Sequence, residues 1–317
     1  MPRILACQSH VVHGYVGNKA ATFPLQCVGW DVDCVNSVQF SNHTGYGIGR
    51  VFGSRANAEQ LEQVFEGVMK LSDDYNALLS GYMPNSSTLT CMARFYEQLK
   101  KRDRNLLWLL DPVMGDEGEL YVDKDVIPEY KAVIRSGLVD IITPNQFELE
   151  LLYGKPIETR SDLYTAIKEL HEYVPVIVVS SCAQSLFNDP THIYSVSSLR
   201  DMPRPYVYRV PVIESYFTGV GDLFSAMLLH RLYYMFQSGK IDQFHTETNI
   251  VLNIMHKVLE ITKKHAKNIK GCIGDPNSMK EMELRVIESI DCYECNTIDR
   301  DFYFDYNWEE EEAHGQN

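Results

Sequence analysis

Seven short apolar or β-branched runs are strung along the chain, at residues 4–7, 32–38, 77–79, 106–110, 139–142, 176–179 and 206–213. Such runs have the length and composition of buried strands. Helical patterns separate them. Residues 58–71 carry Leu61, Val64, Phe65 and Val68 at the spacing of one helix face. Residues 87–101 (after Ser86, a plausible cap), 161–173, 223–236 and 249–267 have the same rhythm. Strand alternating with helix predicts βαβ units, hence a three-layer αβα fold with a central, mostly parallel sheet covered on both faces. No Pro/Gly/Ser-rich linker divides the 317 residues, so one domain is expected over 1–295, followed by an acidic, aromatic tail over 296–317.

In open parallel sheets, ligands bind beyond the carboxyl ends of the strands. Several of the runs end in small or polar groups: Gln8-Ser9-His10, Ser41-Asn42-His43-Thr44-Gly45, Ser80-Gly81-Tyr82, Asp111-Pro112, Thr143-Pro144-Asn145 and Ser180-Ser181. Parallel strands would gather all of them on one edge. Asp111 follows five apolar residues, a costly position for a carboxylate unless it has a partner. Asn145 and Glu148 open a helix at a spacing that fits a capping box, and their oxygens equally suit a water-bridged Mg²⁺.

The segment Phe217-Thr218-Gly219-Val220-Gly221-Asp222 precedes an apolar helix. Its glycines let backbone N–H groups turn toward a ligand, and a helix N-terminus is a ready anion site. An acidic side chain does not improve an anion site, so Asp222 is either a proton acceptor or a helix cap. There is no GxxxxGK[ST] loop, no protein-kinase lysine pattern and no HExxH. Gly45-Tyr-Gly47-Ile-Gly49 opens no dinucleotide-type unit and reads as a mobile loop.

Composition removes other classes. A net charge of −14 argues against a primary binder of nucleic acid or anionic membrane, and much of the excess lies in the tail, at Asp299, Asp301, Asp305 and Glu309–Glu312. No run approaches the roughly 18 apolar residues of a membrane span, and the N-terminus lacks the apolar core of a signal peptide. The eight cysteines are scattered and read as reduced cytosolic thiols. The expected compartment is the cytoplasm, with the nucleus open as a second. Cys292-Tyr-Glu-Cys295 is a lone CxxC without the second pair that a zinc site wants, and reads as incidental.

The ordered blocks 8–25, 35–46, Gly81-Tyr82, 111–116, 143–148, Gly219-Val-Gly221-Asp222-Leu-Phe and Met282-Glu-Leu-Arg285 resemble the pyridoxal kinases of the ribokinase-like superfamily, over roughly residues 3–290. The resemblance implies ATP-dependent phosphorylation of the 5′-hydroxymethyl group of pyridoxal, pyridoxine or pyridoxamine. Carried over, Ser9 and Thr44 are vitamin contacts, and Val16, Val38, Phe40, His43, Tyr82 and Tyr121 wall the ring pocket, with Thr218 facing it. Asp111, Asn145 and Glu148 form the nucleotide–Mg²⁺ group, and Asp116 and Thr143 a monovalent cation site for K⁺. Ser180 and Ser181 meet the phosphates, and Val210, Pro211, Val212 and Ile213 lie on the adenine side. Gly219, Val220 and Gly221 form the anion hole, with Asp222 as base. A homodimer is implied, and the acidic tail is a docked strap, a partner-binding segment or a solvated end. Two departures stand out: Val220 and Thr218 replace a threonine and an apolar residue that the family often has there. The loop after Asp116 is also shorter than in animal relatives.

Overall fold

The computed structural model describes residues 1–116, 118–267, 269–304, 306 and 308. Glu117, Asp305 and Glu309–Glu312, which figure in the sequence reading, lie outside the described residues.

A single sheet of ten strands runs through the molecule. In chain order its strands are β1 (Arg3–Val11), β2 (Asp31–Phe40), β3 (Gly53–Arg55), β4 (Ala77–Ser80), β5 (Leu107–Leu110), β8 (Ile141–Ile142), β9 (Val176–Cys182), β10 (His192–Leu199), β11 (Tyr206–Pro211) and β12 (Tyr303–Phe304). A separate two-stranded hairpin pairs β6 (Gly115–Asp116) with β7 (Glu119–Leu120). The sheet order is β12-β11-β10-β9-β8-β5-β4-β1-β2-β3. The run from β9 to β2 is parallel throughout, and the flanking strands are antiparallel to their neighbours. The mostly parallel α/β architecture expected from the sequence is present.

Strand residues alternate between two cores, as a period of two requires. Leu5, Leu78, Trp108, Leu110, Ile142, Ile177 and Val179 face one cluster. It is covered by α2 (Ala58–Leu71), α3 (Ser86–Arg102), α4 (Val126–Arg135), α5 (Gln146–Tyr153) and α6 (Arg160–Leu170). Ile4, Ala77, Leu79, Leu109, Ile141, Val176 and Val178 face the other. That side is covered by α1 (Asn18–Cys27), α8 (Val220–Gln237) and α9 (Phe244–His265). The remaining helices, α7 (Gln184–Phe187), α10 (Pro276–Glu281) and α11 (Ile290–Tyr293), are short. Among the described residues no helix is long and apolar enough to cross a membrane.

Three local expectations change. The cap of α3 is Asn85, whose side chain accepts from the Thr88 N–H at 3.0 Å, and not Ser86, which is the first helical residue. The segment around Gly45–Gly49 forms two 3₁₀ turns, the first with Gly45 and Tyr46 buried and the second exposed, so part of it is packed. Strand β10 gave no apolar run because its buried positions include Ser195, Ser197 and Ser198. Each of these hydroxyls is satisfied, by the Val179 carbonyl at 2.8 Å, Tyr208 Oη at 2.9 Å and His171 Nε2 at 2.7 Å respectively.

The aromatic end of the chain lies across the β11 edge. Tyr303 and Phe304 pair with Tyr208 and Val207. Beyond them Trp308 is only 2% exposed, and its Nε1–H donates to the Pro205 carbonyl at 3.1 Å. Arg160 and Arg209 sit over the Tyr306 and Phe304 rings at 4.9 and 5.7 Å. Trp308→Ala should therefore destabilise the protein by about 3 kcal/mol, the scale of emptying a buried aromatic site. Chemical denaturation of wild type and variant checks this. An unchanged midpoint would mean that the ring is not docked in solution.

Candidate active site

The strand ends do converge. Asp111 follows β5, Thr143 follows β8, Ser180 and Ser181 lie within the last turns of β9, and Ser9 lies near the end of β1 beside Val38 of β2. The N-terminus of α8 closes over them. Its N-cap is Gly219, at φ 76°, with no side-chain cap. Any Cβ at Gly219 would sit 2.0 Å from the Tyr15 carbonyl, so only glycine allows loop and helix to meet this closely. Gly17, at φ 54°, is pressed against Ser9 in the same way, a Cβ there falling 2.0 Å from the Ser9 carbonyl. The Gly17 N–H then donates to the Asp222 carboxylate. Asp222 lies in the first turn of α8 and does not cap it, so the helix-cap alternative is not realised.

Carboxylates dominate the centre. Asp111 is 4% exposed and accepts from Ser225 Oγ at 3.1 Å, and Ser225 is 2.8 Å from Thr143 Oγ1. Burial, and next the charge of Asp222, push the Asp111 carboxyl up to about 8, against hydrogen bonds from Ser225 and Thr143. Glu148 is also buried and accepts backbone N–H groups of Met114 and Asn145, each at 2.9 Å, and of Gly115. Burial and the neighbouring Asp111 hold its carboxyl well above the ordinary range even so. Burial likewise raises Asp222, with the Gly17 N–H opposing. A position on Gly221 that a Cβ would take lies 3.7 Å from Asp111 Oδ2, so the glycine turn and this carboxylate face each other.

Asn145 does form the capping box with Glu148. Its Oδ1 accepts from the Glu148 N–H and its Nδ2 donates to the Gly115 carbonyl, both at 2.8 Å. Its amide thus ties α5 to the β6–β7 hairpin. Asp116 lies exposed on that hairpin, next to Tyr121. Tyr121 itself is half exposed, its N–H donating to the Met114 carbonyl at 2.8 Å, and burial and then Tyr216 raise its phenol. Ser180 Oγ reaches the Pro144 carbonyl at 3.4 Å. Val210 and Pro211 end β11, and Val212 continues beyond it, its N–H donating to the Thr191 carbonyl at 3.0 Å, with Ile213 following, half-buried. Tyr82, Phe40 and Val16 are half-buried, Val38 is buried and Thr44 is exposed at the start of its 3₁₀ turn. An open hollow of about 440 Å³ beside β2 and β3, lined by Val38, Gln39, Ser54 and Gln60 among others, contains none of the carboxylates. The carboxylate cluster is the candidate site for the chemistry.

Two residues carry roles that the sequence reading did not assign. Ser225 was legible as the polar residue one turn after Asp222 in the apolar stretch Leu223–Leu229. Glu283 is 6% exposed and joins two loops. Its Oε1 lies 2.9 Å from His43 Nε2 and accepts from Tyr46 Oη at 2.8 Å, and its Oε2 accepts from the Tyr15 N–H at 2.9 Å. Burial works against the charge of Glu283, but these hydrogen bonds outweigh it and hold the carboxyl below its ordinary range. Thr218 Oγ1 joins the network at 3.0 Å from His43 Nε2, which gives its hydroxyl a partner within the chain.

Among the described residues no three His, Cys, Asp or Glu side chains are arranged to enclose an ion by themselves. A pair of buried, mutually repelling carboxylates still fits a hard divalent cation that keeps water and phosphate oxygens as its other ligands. The raised Asp111 carboxyl has a stability consequence. It binds its proton more tightly folded than unfolded, so its contribution is most favourable below about pH 4 and declines as pH rises toward 8. Asp111→Asn should flatten that decline and melt above wild type at pH 8, in thermal melts of the ligand-free protein at pH 6 and 8. A lower melting temperature at pH 8 would refute a buried, unneutralised charge at this position.

Comparison with known proteins identifies the family. The phosphomethylpyrimidine kinase family model matches residues 26–236. A putative pyridoxal kinase of Saccharomyces cerevisiae is 55% identical over 308 residues, covering 96% of this chain and 98% of its own. The pyridoxal kinase of Bos taurus is 38% identical, covering 90% and 93%. Among solved structures, pyridoxal kinase from Leishmania donovani in complex with ADP and pyridoxine superposes with a TM-score of 0.81 at 30% identity, covering 93% of this chain and 96% of that one. Likeness of this extent, over a ribokinase-like sheet whose strand ends meet a glycine-capped helix, makes the chain a member of the pyridoxal kinase family.

Proposed function

We propose that this chain transfers the γ-phosphoryl group of ATP to the 5′-hydroxymethyl group of pyridoxal, and of pyridoxine and pyridoxamine, in the salvage of vitamin B6. The observation that carries the mechanism is the position of Asp222, in the first turn of a helix that lacks a side-chain cap and opposite the Asp111–Ser225–Thr143 cluster. Phosphoryl transfer is largely positioning and charge neutralisation. The N–H groups of Gly219, Val220 and Gly221, with the N-terminal dipole of α8, suit the γ-phosphate oxygens. Asp222 orients the vitamin hydroxyl. Its oxygen forms the new bond to phosphorus as the bond between γ-phosphorus and the β–γ bridging oxygen breaks, ADP leaves, and the proton passes to the Asp222 carboxylate. The upward shift of that carboxyl brings it closer to the pKa of a useful base.

Asp111 and Glu148 would hold Mg²⁺ through water and phosphate oxygens, and the ion supplies charge neutralisation for the polyphosphate. In this reading K⁺ sits by Asp116 and Thr143, Ser180 and Ser181 meet the phosphates, and residues 210–213 flank the adenine. Ser9, Thr44, Val16, Val38, Phe40, His43, Tyr82, Tyr121 and Thr218 surround the vitamin ring. The same reading includes a homodimer.

A coupled ADP-release assay with Mg·ATP, K⁺ and pyridoxal tests the assignment. Wild type should turn over, and Asp222→Ala should lose about a hundredfold or more in kcat, the scale of general base catalysis. Equal rates would make Asp222 a bystander. Turnover of hydroxymethylpyrimidine alone would move the chain to a different substrate. Glu283→Gln should raise KM for pyridoxal by about tenfold with a smaller change in kcat, the scale of a lost charge-assisted hydrogen bond. An unaltered KM would mean that the His43 loop keeps its place without Glu283.

A further inference from the structure

Two of the eight cysteines, Cys292 and Cys295, lie three residues apart. Cys292 lies on α11 and Cys295 just beyond its end, on the helix face of the sheet covered by α1 and α9. The Cys295 N–H donates to the Cys292 carbonyl at 3.1 Å. An i+3→i bond of this kind eclipses side chains three apart and keeps their Cα atoms within about 7 Å, close to the span that a disulfide bridges. Both side chains are half-buried and so accessible to small reagents. Lys257 on α9 donates to Cys295 Sγ at 3.2 Å.

Burial pushes the Cys295 thiol up, but hydrogen bonds from Thr297 and the Lys257 ammonium outweigh it, so the thiol sits below its ordinary value. Burial raises Cys7, Cys27, Cys34, Cys91, Cys182 and Cys292 instead. Asp291 and Glu294 are the acids on the turn, and Lys257 is the cation that faces it. A thiol that accepts a hydrogen bond from a lysine, with a second thiol one turn away, is the arrangement of a reactive and a resolving cysteine.

We propose that Cys295 is a peroxide-sensitive thiol and that Cys292 resolves it into a reversible disulfide. The Cys295 thiolate attacks one oxygen of hydrogen peroxide and the O–O bond breaks. The products are a sulfenic acid on Cys295 and hydroxide, which takes a proton to become water. The Cys292 sulfur then attacks the Cys295 sulfur, its proton goes to the departing oxygen, the S–O bond breaks and a second water leaves. The two sulfurs lose two electrons in all, and the peroxide gains them. The disulfide also weakens the acceptor that the Lys257 ammonium donates to. Directly beyond it, Asn253 and Asn249 of α9 hold the carbonyls of Thr297 and Asp299, each at 2.8 Å, on the way to β12.

The test uses the reduced full-length protein, mass spectrometry and hydrogen peroxide. Substoichiometric peroxide should remove two hydrogens, mapped to a Cys292–Cys295 crosslink that dithiothreitol reverses. Without peroxide, iodoacetamide at pH 7 should alkylate Cys295 on the order of tenfold faster than the exposed Cys34, a difference set by thiolate fraction. Lys257→Met should bring the two rates together and Lys257→Arg should keep them apart. In Cys292→Ser the sulfenic acid should persist and be trapped by dimedone. The idea is overturned if wild-type Cys34 reacts as fast as Cys295, if the crosslink maps to another pair, or if peroxide carries Cys295 to sulfinic acid while Cys292 stays free. The wild-type readings decide the matter even if a variant misfolds.

Discussion

The candidate active centre is organised by the burial of like charges. Asp111, Glu148 and Asp222 come from three separate stretches of chain and meet where water is scarce, and each is pushed toward its protonated form. The fold keeps them there by supplying donors: Ser225 to Asp111, three backbone N–H groups to Glu148 and the Gly17 N–H to Asp222. Like charges buried this close together cost the fold stability, and in the proposed reaction a divalent cation would offset that cost. Stability given up at rest reappears as complementarity to the bound state.

Around this centre, backbone contacts matter as much as side chains. Gly17 and Gly219 let the loop after β1 lie directly against both Ser9 and the start of α8. Glu283 then secures the same loop from outside through the Tyr15 N–H, and ties it to His43 and Tyr46 beyond β2. One buried carboxylate therefore couples the loops that follow the first two strands of the sheet. Its charge is supported by three donors, which is why it sits below its ordinary range while the three carboxylates of the centre sit above theirs.

The sequence carried the parallel core because buried strands in such sheets are apolar on both faces, and a run such as Leu107–Leu110 has no other comfortable environment. It carried Asp111 for the same reason, as a carboxylate at the end of an apolar run. It was silent where burial is achieved with polar atoms. The serines of β10 read as loop until their hydroxyl partners, distant in sequence, are known. The exposed edge strand β3 has no apolar signal. Tyr46 lies in a glycine-rich stretch whose order depends on Glu283, more than two hundred residues away. Contacts of that separation are tertiary facts, and no local periodicity encodes them. The CxxC turn is similar: the motif is visible in the chain, whereas the lysine that distinguishes one sulfur comes from a different helix.

The docked aromatic segment bears on how the sheet is completed during synthesis. β11 is made long before Tyr303, Phe304 and Trp308, and until they emerge its outer edge has unpaired N–H and C=O groups. Exposed edges of that kind are templates for pairing with other chains. A nascent chain that stalls in the stretch between α9 and Tyr303 would hold the carboxylates of the candidate site yet keep an open β edge and an empty cradle beside Tyr164 and Pro205. The closing strand therefore sets a point in translation before which this kinase is a candidate for chaperone capture, and after which Val207 and Tyr208 on that edge have their partners.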